Sequence, residues 1–545
     1  MSDSSRVHPK GNQGAAHGCV AAGDRRTAAA GARLLEEGGN AVDAAVAAAF
    51  AAFACEPVLA SPFGGGFATY SDGEGHEEAW DFFAEVPGLG LPPALEDPSL
   101  DFVAIDVSFG PTSQVFHVGR GAAAVPLILP GLVELQRAHG VKTLAEVVAP
   151  SIELARAGVP LSAEIAPIVE ILEPILRFTP EASEIIAPGG RLIGEGDPYF
   201  VPQLAGLLER VAAGGKVPGR PELLEGFGPP RGRMTDADLD AAVAKTTVPI
   251  RIGLPGGLTV HLPPPPASGG LLIAFSLKLL APVERGVWRD PGATADHLLA
   301  VMAVANQARQ AALAPLLRSG AVPPDEVVAA FLGEESIRRW REPFERAVVE
   351  GPAFAAARPD NHLGRTTHVS VIDAAGRACS LTHSNGEGCG HLVPGTGMQA
   401  NNFLGEEDLH PEGFHSDRPG TRLTSMMCPS IVTREGRPVL AVGSGGSNRI
   451  RSAILQVLVH ALLGERPLVD AVDLPRMHLE GRTLNIERRG VRGSYDVAVL
   501  ERLASRVGEL VVFDTPSMYF GGAHAVGEGG TGAGDARRGG AVCRV

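Results

Sequence analysis

Hydrophobic residues in the first part of the chain recur with helical spacing. This spacing predicts helices in the segments RRTAAAGARLLEEGG and NAVDAAVAAAFAAF, the second capped by Asn40. A further amphipathic helix is predicted over residues 143–158, and residues 293–350 are largely helical in pattern. Alanine and glycine supply much of the apolar content, so we expect these helices to lie close against a sheet.

The pattern changes to short strands and glycine turns from Thr366 onward. Residues 368–372 alternate small or apolar side chains with polar ones, which predicts a half-buried strand. A good helix is predicted in the segment RIRSAILQVLVHALLG. We find neither repeats nor a low-complexity linker, so the helix-rich first part and the strand-rich last part are expected to fold together as a sheet core covered by helices. Residues 515–545 are expected to form a closing hairpin without a chemical role.

The composition is that of a globular protein, with 45% hydrophobic and 20% charged residues. A net charge of −15, without a basic stripe, argues against nucleic acid as a partner. Six scattered cysteines indicate free thiols in a reducing compartment. The start lacks the apolar segment of a secretory signal, and the most apolar run is too short for a bilayer. We therefore expect a cytoplasmic protein without a membrane partner.

Thr366 and Thr367 stand between the polar loop RPDNHLGR and the predicted strand. A chain cut between Arg365 and Thr366 would give Thr366 a free α-amine next to its hydroxyl. The hydroxyl is then a nucleophile, and the amine, with a reference pKa of about 7.7–8.0, can accept its proton. The same hydroxyl, attacking the Arg365 carbonyl, could make the cut. The alternative is a threonine that only begins a strand.

The segment VGSGGSNRIRSAIL, residues 442–455, has the pattern of a strand, a glycine turn and the start of a helix. Such a turn places backbone N–H groups at the positive end of a helix, which suits an oxyanion hole. The segment lacks the third glycine of a dinucleotide-binding fingerprint. A plain tight turn is the alternative.

Other polar side chains near these segments could support chemistry. Ser425 lies in RLTSMMCPS, while Ser384 and Asn385 lie on the strand and turn expected to pair beside Thr366. All three are also ordinary hairpin residues. The spacing of His383, Cys389 and His391 matches no standard metal site, so neither a metal nor another cofactor is expected.

Taken together, the ordered motifs resemble the γ-glutamyltransferase family of amino-terminal-nucleophile hydrolases. They run through nearly the whole chain in this order: GGNAVDAAVA, GGGF, LAEVVAPSIELARAG, MTDADL, PPPPASGG, TTHVSVID, VPGTGMQANNF, SMMCPSIV and GSGGSNRI. The resemblance implies a four-layer αββα sandwich. It also implies a precursor that cuts itself into a large chain, 1–365, and a small chain, 366–545, that starts with the nucleophile Thr366.

The resemblance further assigns roles to individual residues. Gly445 and Gly446 fall where the family's oxyanion glycines are, although the pair is displaced by one residue from the usual S-P-G-G. Ser384 or Asn385 corresponds to the hydroxyl and amide that support the threonine. Ser425, followed by Met426, falls on the serine that helps to hold the substrate carboxylate.

Two positions depart from the family pattern in ways that concern the substrate. The family binds the glutamyl carboxylate with an arginine in a D-F-R motif, whereas this chain has Phe83 there, in DFFAEVPG. This replacement removes a bidentate, charge-assisted pair. The family's amino-group aspartate is matched best by Glu406, with Glu407 and Asp408 as neighbours.

The sequence therefore predicts a self-processing enzyme that transfers an acyl group from a small-molecule amide through Thr366 to water or an amine. A γ-glutamyl compound such as glutathione is the leading substrate class. An acylase for a glutaryl or aliphatic acyl group is the first alternative, which Phe83 favours. The second is an uncut, catalytically silent binder of a small metabolite. The acyl donor, the balance of hydrolysis and transfer, and a possible homo-oligomer are left open.

Overall fold

The computed structural model describes residues 18–93, 97–108, 113–214, 219–313, 323–354, 365–410 and 413–545. The helices discussed below are α1 (Arg25–Glu36), α2 (Ala41–Cys55), α3 (Ile128–His139), α4 (Leu144–Ala157), α5 (Ala166–Ile171), α6 (Glu173–Leu176), α7 (Pro180–Ile186), α8 (Pro202–Ala212), α9 (Arg220–Phe227), α10 (Asp236–Ala241), α11 (Ser268–Leu280), α12 (Pro291–Ala312), α13 (Asp325–Leu332), α14 (Glu334–Glu350), α15 (Arg449–Leu458), α16 (Leu468–Asp473) and α17 (Val497–Ala504).

Two antiparallel sheets form the centre of the molecule. The first has seven strands, in the spatial order Lys245–Thr247 (β10), Glu77–Phe82 (β3), Gly65–Ser71 (β2), Ala378–Ser384 (β14), Thr366–Asp373 (β13), Gly18–Ala22 (β1) and Ala541–Arg544 (β22). The second has six, in the order Ile250–Leu254 (β11), Leu258–Leu262 (β12), Ser430–Arg434 (β15), Arg437–Gly445 (β16), Gly522–Gly527 (β20) and Thr531–Ala533 (β21). Strand β13 packs against β16 and β20, so the two sheets face each other.

The remaining strands form small sheets at the edges. These strands are Ala84–Glu85 (β4), Val103–Ser108 (β5), Ser113–Val118 (β6), Val125–Pro126 (β7), Val159–Pro160 (β8), Pro198–Tyr199 (β9), Met477–Glu480 (β17), Thr483–Glu487 (β18) and Glu509–Phe513 (β19). Helices α1 and α2 pack against the first sheet, and α11 and α15 pack against the second. The fold is therefore a mixed α/β arrangement around antiparallel sheets.

Local sequence explains where the predicted helices begin. The Asn40 side chain accepts hydrogen bonds from the N–H groups of Val42 and Asp43, and the Asp43 carboxylate accepts one from the backbone N–H of Asn40. Thr143 caps α4 in the same reciprocal way. The helix α2 is buried on all sides, which its alanine-rich sequence permits. The predicted helices in these segments are confirmed.

Strand β13 is buried along its whole length, so the prediction of a half-buried strand was wrong. The side chains of Val369 and Val371 lie in the core that contains α2, whereas the ring of His368 lies against Gly443 of the second sheet. Two of the polar side chains on this strand are satisfied within the sheet, since His368 hydrogen-bonds Thr382 at 2.7 Å and Ser370 at 2.8 Å. The alternation therefore separates two buried faces.

The end of the chain also differs from the predicted closing hairpin. Strands β20 and β21 belong to the second sheet, whereas β22 pairs with β1 in the first. This segment therefore ties the two sheets together. Within the part of the chain that the structure describes, no helix is long and apolar enough to cross a membrane.

Candidate active site

Thr366 is the first residue of β13 and lies opposite Ser384 of β14 in the strand register. Both residues and Arg365 are almost fully buried. The Ser384 hydroxyl donates a hydrogen bond to the Arg365 carbonyl oxygen and accepts one from the N–H of Gly386 at 3.0 Å. A hydroxyl donor therefore rests on the carbonyl of the peptide bond that joins Arg365 to Thr366, where it would polarise that carbonyl.

A glycine turn lies directly beside Thr366. Strand β16 ends at Gly445, Gly446 has a φ of 122°, and α15 begins at Arg449. A Cβ atom added to Gly445 would lie 2.0 Å from the Thr366 carbonyl oxygen, so this close approach of two backbones requires glycine. The predicted strand, turn and helix are confirmed, and the turn meets the predicted nucleophile.

Thr366 opens onto a cleft with about 700 Å³ of empty space. The cleft brings together most of the predicted site residues. Its lining consists of Phe83, Ser268, Arg309, Arg365, Thr366, Ser384, Gly386, Phe403, Glu406, Leu409, Thr424, Ser425, Met426, Met427, Ser447, Asn448 and Ile450. These residues come from both the first and the last part of the sequence, so the cleft exists only in the folded chain.

Phe83 forms an apolar wall of this cleft. Its ring stacks on Phe67 with a centroid distance of 5.6 Å and lies 4.6 Å from the ring of Phe403. Leu409 and Met426 extend the apolar lining. Such a wall can pack against an aliphatic or aromatic group but offers no partner to a carboxylate.

Glu406 supplies an acidic group to the same cleft. Burial, together with the neighbouring carboxylate of Glu387, raises the pKa of Glu406 well above its usual value. Glu387 itself accepts a hydrogen bond from the Asn402 side chain at 3.3 Å. Glu406 can therefore either bind an ammonium group or, when protonated, donate a hydrogen bond.

Two of the predicted substrate-binding residues lie on separate cavities. Ser425 lines the Thr366 cleft, where its hydroxyl accepts the N–H of Met427 at 3.2 Å. Asn385, which directly follows Ser384, instead lines a second cavity with Glu387 and Tyr199. Of the two residues that the sequence offered as a support for Thr366, the structure brings Ser384 to the cleft.

Sequence reasoning missed two buried charged groups near Thr366. Glu56, just after α2, accepts a hydrogen bond from Thr27 at 2.7 Å, and burial raises its pKa to about 7. It lies next to Thr367, because a Cβ on Gly23 would touch both side chains. Its position at the end of an otherwise apolar segment was the available signal.

The second missed group is arginine-rich and contains Arg449 and Arg538. The side chain of Arg538 lies along Gly522 and reaches Gly445 and Gly446, where added Cβ atoms would lie 3.4 and 3.6 Å from its terminal nitrogens. The sequence signal for this group was the arginine pair in the glycine-rich segment GAGDARRGG, which lies in the region predicted to have no chemical role.

Comparison with known proteins agrees with this arrangement. The sequence pattern of the γ-glutamyltranspeptidase family matches residues 27–545. The acylase ACY 1 proenzyme of Pseudomonas sp. (strain V22) is 32% identical over 482 residues, which cover 86% of this chain and 84% of that protein. The glutathione hydrolase proenzyme of Bacillus subtilis (strain 168) is 28% identical, with 85% of this chain and 80% of that protein covered.

Among solved structures, a cephalosporin acylase from Bacillus halodurans superimposes with a TM-score of 0.78 at 22% identity, covering 100% of this chain and 99% of that one. This likeness shows the fold. The family match and the relatives confirm the predicted membership and the prediction of an enzyme. The chain belongs to the γ-glutamyltranspeptidase family.

Proposed function

We propose that this protein is a precursor that cuts itself between Arg365 and Thr366 and then hydrolyses or transfers the acyl group of a small-molecule amide. The cut divides the chain into 1–365 and 366–545, which stay together as the two parts of one αββα sandwich. One observation carries the proposal: Thr366 begins a buried strand at the cleft, with Ser384 on one side and the Gly445 turn on the other.

The self-cleavage step uses groups that already touch the bond. The Thr366 hydroxyl oxygen bonds to the Arg365 carbonyl carbon, its proton passes to the peptide nitrogen, and the C–N bond breaks to leave an ester and a free amine. Ser384, which already donates to that carbonyl oxygen, stabilises the negative charge that develops on it. Water then hydrolyses the ester, which leaves Arg365 with a carboxylate and Thr366 with its α-amine.

Turnover repeats this chemistry on the substrate. The α-amine of Thr366 accepts the hydroxyl proton while the oxygen bonds to the amide carbonyl carbon. Backbone N–H groups at the turn of Gly445 and Gly446 face the resulting oxyanion. The C–N bond then breaks, the proton passes to the leaving amine, and water or another amine takes the acyl group from Thr366.

The substrate class follows from Phe83. A buried ring stacked between Phe67 and Phe403 favours an acyl chain with apolar surface over an α-carboxylate, so an acylase activity fits the cleft best. A γ-glutamyl substrate is the second candidate, because Glu406 offers a carboxylate to an α-amino group. An uncut, silent binder fits less well, since the Ser384 hydroxyl already donates to the carbonyl of the bond to be cut.

Two measurements test the proposal. Denaturing electrophoresis with amino-terminal sequencing should give two fragments, the smaller beginning Thr-Thr-His; an active preparation that remains one intact chain would contradict it. Hydrolysis of glutaryl, aliphatic and γ-glutamyl anilides should favour the first two. The variant Glu406→Gln should then leave the glutaryl rate within about twofold and lower any γ-glutamyl rate about tenfold, because one charge-assisted hydrogen bond is lost.

Localisation and assembly remain predictions. All six cysteines are unpaired and five are buried, which supports a reducing compartment such as the cytoplasm. The prediction of a homo-oligomer is tested by size-exclusion chromatography with light scattering.

A further inference from the structure

Arg449 and Arg538 form a positively charged cluster beside the glycine turn. Arg449 is fully buried, its Nε donates to the Tyr519 carbonyl at 3.2 Å, and its guanidinium lies 4.8 Å from the centre of the Tyr519 ring. Its two terminal nitrogens have no hydrogen-bond partner among the described residues. Arg538 donates to the Met518 carbonyl at 3.3 Å, and its Nε also lacks a partner within that part of the chain.

The neighbouring acid does not neutralise this cluster. Asp535 already pairs with Arg476 at 2.6 Å and with Arg537 at 3.2 Å. Burial, with the charges of Arg365 and Arg449, lowers the pKa of Arg538 to about 9. At neutral pH the region therefore carries more positive than negative charge, which is costly inside a protein unless an anion forms nearby.

The charge of Arg538 faces the place where an anion forms in the reaction. A terminal nitrogen of Arg538 and the Thr366 carbonyl oxygen both lie beside Gly445, where an added Cβ would be 3.4 Å from the nitrogen and 2.0 Å from the oxygen. An acyl oxyanion at this turn would meet a fixed positive charge beside the same glycine. The charge of Arg538 acts strongly on an oxyanion here, because little water lies between two groups at a buried site.

We propose that Arg538, supported by Arg449, is a positioning residue that stabilises the oxyanion at the Gly445 turn and keeps the Thr366 α-amine unprotonated at neutral pH. This inference rests on the proposed function. It adds that the positive charge of Arg538, together with the N–H groups of the turn, stabilises the oxyanion.

Other charged groups around Thr366 set the baseline for the amine. Burial lowers the pKa of each nearby histidine, so these rings are neutral at pH 7; they are His368, His383 and His524. The acids on this side are Glu56, Glu387 and Glu406, and the cations at the cleft are Arg309 and Arg365. Cleavage adds one carboxylate, at the end of the large chain. Arg538 contributes to the lowered pKa of His524, but burial is the largest cause, so this ring stays neutral at pH 7 when Arg538 is replaced.

The test compares Arg538→Met with Arg538→Lys and with the surface control Arg434→Met. We expect Arg538→Met to lower kcat about tenfold to a hundredfold with little change in KM. The acidic limb of its kcat–pH profile should move up by about one pH unit, because the amine loses a nearby positive charge. Arg538→Lys should restore most of both effects, and Arg434→Met should match the wild type.

The other possible outcomes also support or overturn the inference about Arg538. An Arg538→Met enzyme with an unchanged acidic limb and a kcat within about twofold of wild type overturns the inference, as does an Arg538→Lys enzyme as impaired as Arg538→Met. A folded Arg538→Met chain that stays uncut while Arg538→Lys is cut supports it, since the cut develops the same charge. If Arg538→Met does not fold, Arg449→Met must show the shifted limb. Loss of the proposed function itself would instead appear as turnover without a free Thr366.

Discussion

The two sides of the cleft are built in different ways. Around Thr366 the site consists mainly of backbone: a strand end, its paired neighbour at Ser384, and a glycine turn in contact with the Thr366 carbonyl oxygen. The opposite side consists of side chains, with the ring of Phe83 and the carboxyl of Glu406 carried by segments more than three hundred residues apart in sequence. Backbone geometry tolerates little change, whereas side chains can be exchanged without moving the strands. Under the proposed function, reaction chemistry belongs to the first side and substrate choice to the second.

The strongest test of the backbone side removes the nucleophile. Thr366→Ala should stay uncut and lose at least about a thousandfold in activity, because both the attacking hydroxyl and the generation of its amine depend on this residue. Thr366→Ser keeps a hydroxyl and should be cut, though more slowly. Electrophoresis and anilide hydrolysis measure both variants. Activity in an uncut Thr366→Ala protein would break the division drawn above.

A single methyl group should be almost as damaging at the turn. Gly445→Ala places a Cβ against the Thr366 carbonyl oxygen, so the turn must move away and carry its N–H groups with it. We expect a loss of about a hundredfold in kcat, comparable to removal of an oxyanion donor. Gly253→Ala is the matched control, since its added Cβ meets nothing within 4 Å. Equal rates for the two variants would show that the turn is not in the site.

On the side-chain side, a replacement should alter selectivity and leave cleavage intact. Phe83→Arg offers a guanidinium to a substrate carboxylate, and we expect the ratio of γ-glutamyl to aliphatic anilide hydrolysis to rise about tenfold. Phe83→Leu controls for the loss of the ring. If Phe83→Arg abolishes self-cleavage and Phe83→Leu does not, self-cleavage depends on the side chains that select the substrate, and the division between the two sides of the cleft is wrong.

The smallest expected effect on catalysis comes from replacing Glu56, whose carboxyl lies next to Thr367 of β13. Glu56 holds its proton more tightly in the folded chain than in the unfolded one, since burial raises its pKa to about 7. The folded state therefore binds more protons between about pH 4.5 and 7, and the free energy of unfolding falls as pH rises through that window, by about 3 kcal/mol.

Glu56→Gln should remove this fall while leaving the rate within a few fold. Thermal unfolding at pH 5 and pH 7.5, in the uncut Thr366→Ala background, measures it; Glu74→Gln, at an exposed position, is the control. An identical pH dependence in Glu56→Gln and its parent would mean that the carboxyl is not buried in solution.

Local pattern was sufficient for much of the backbone side. The helix capped at Asn40, a strand over residues 368–372, the pairing with Ser384 and the turn at Gly445 all follow from spacing, caps and glycines close together in sequence, although the strand begins two residues earlier, at Thr366. The half-buried strand was predicted wrongly, because alternation of small and polar residues does not reveal that a second sheet covers the polar face. Asn385 was predicted beside the substrate, yet one residue beyond Ser384 the chain turns toward another cavity.

The sequence alone determined the order of the elements, the family, and the residue proposed as the nucleophile, because these depend on short-range patterns and ordered motifs. Only the tertiary structure decided that Phe83 is stacked within an aromatic wall, that Glu406 is close to a second carboxylate, and that Arg538 lies beside the Gly445 turn. Those contacts join residues far apart in the chain. Their energies depend on burial and distance, which a linear pattern does not contain.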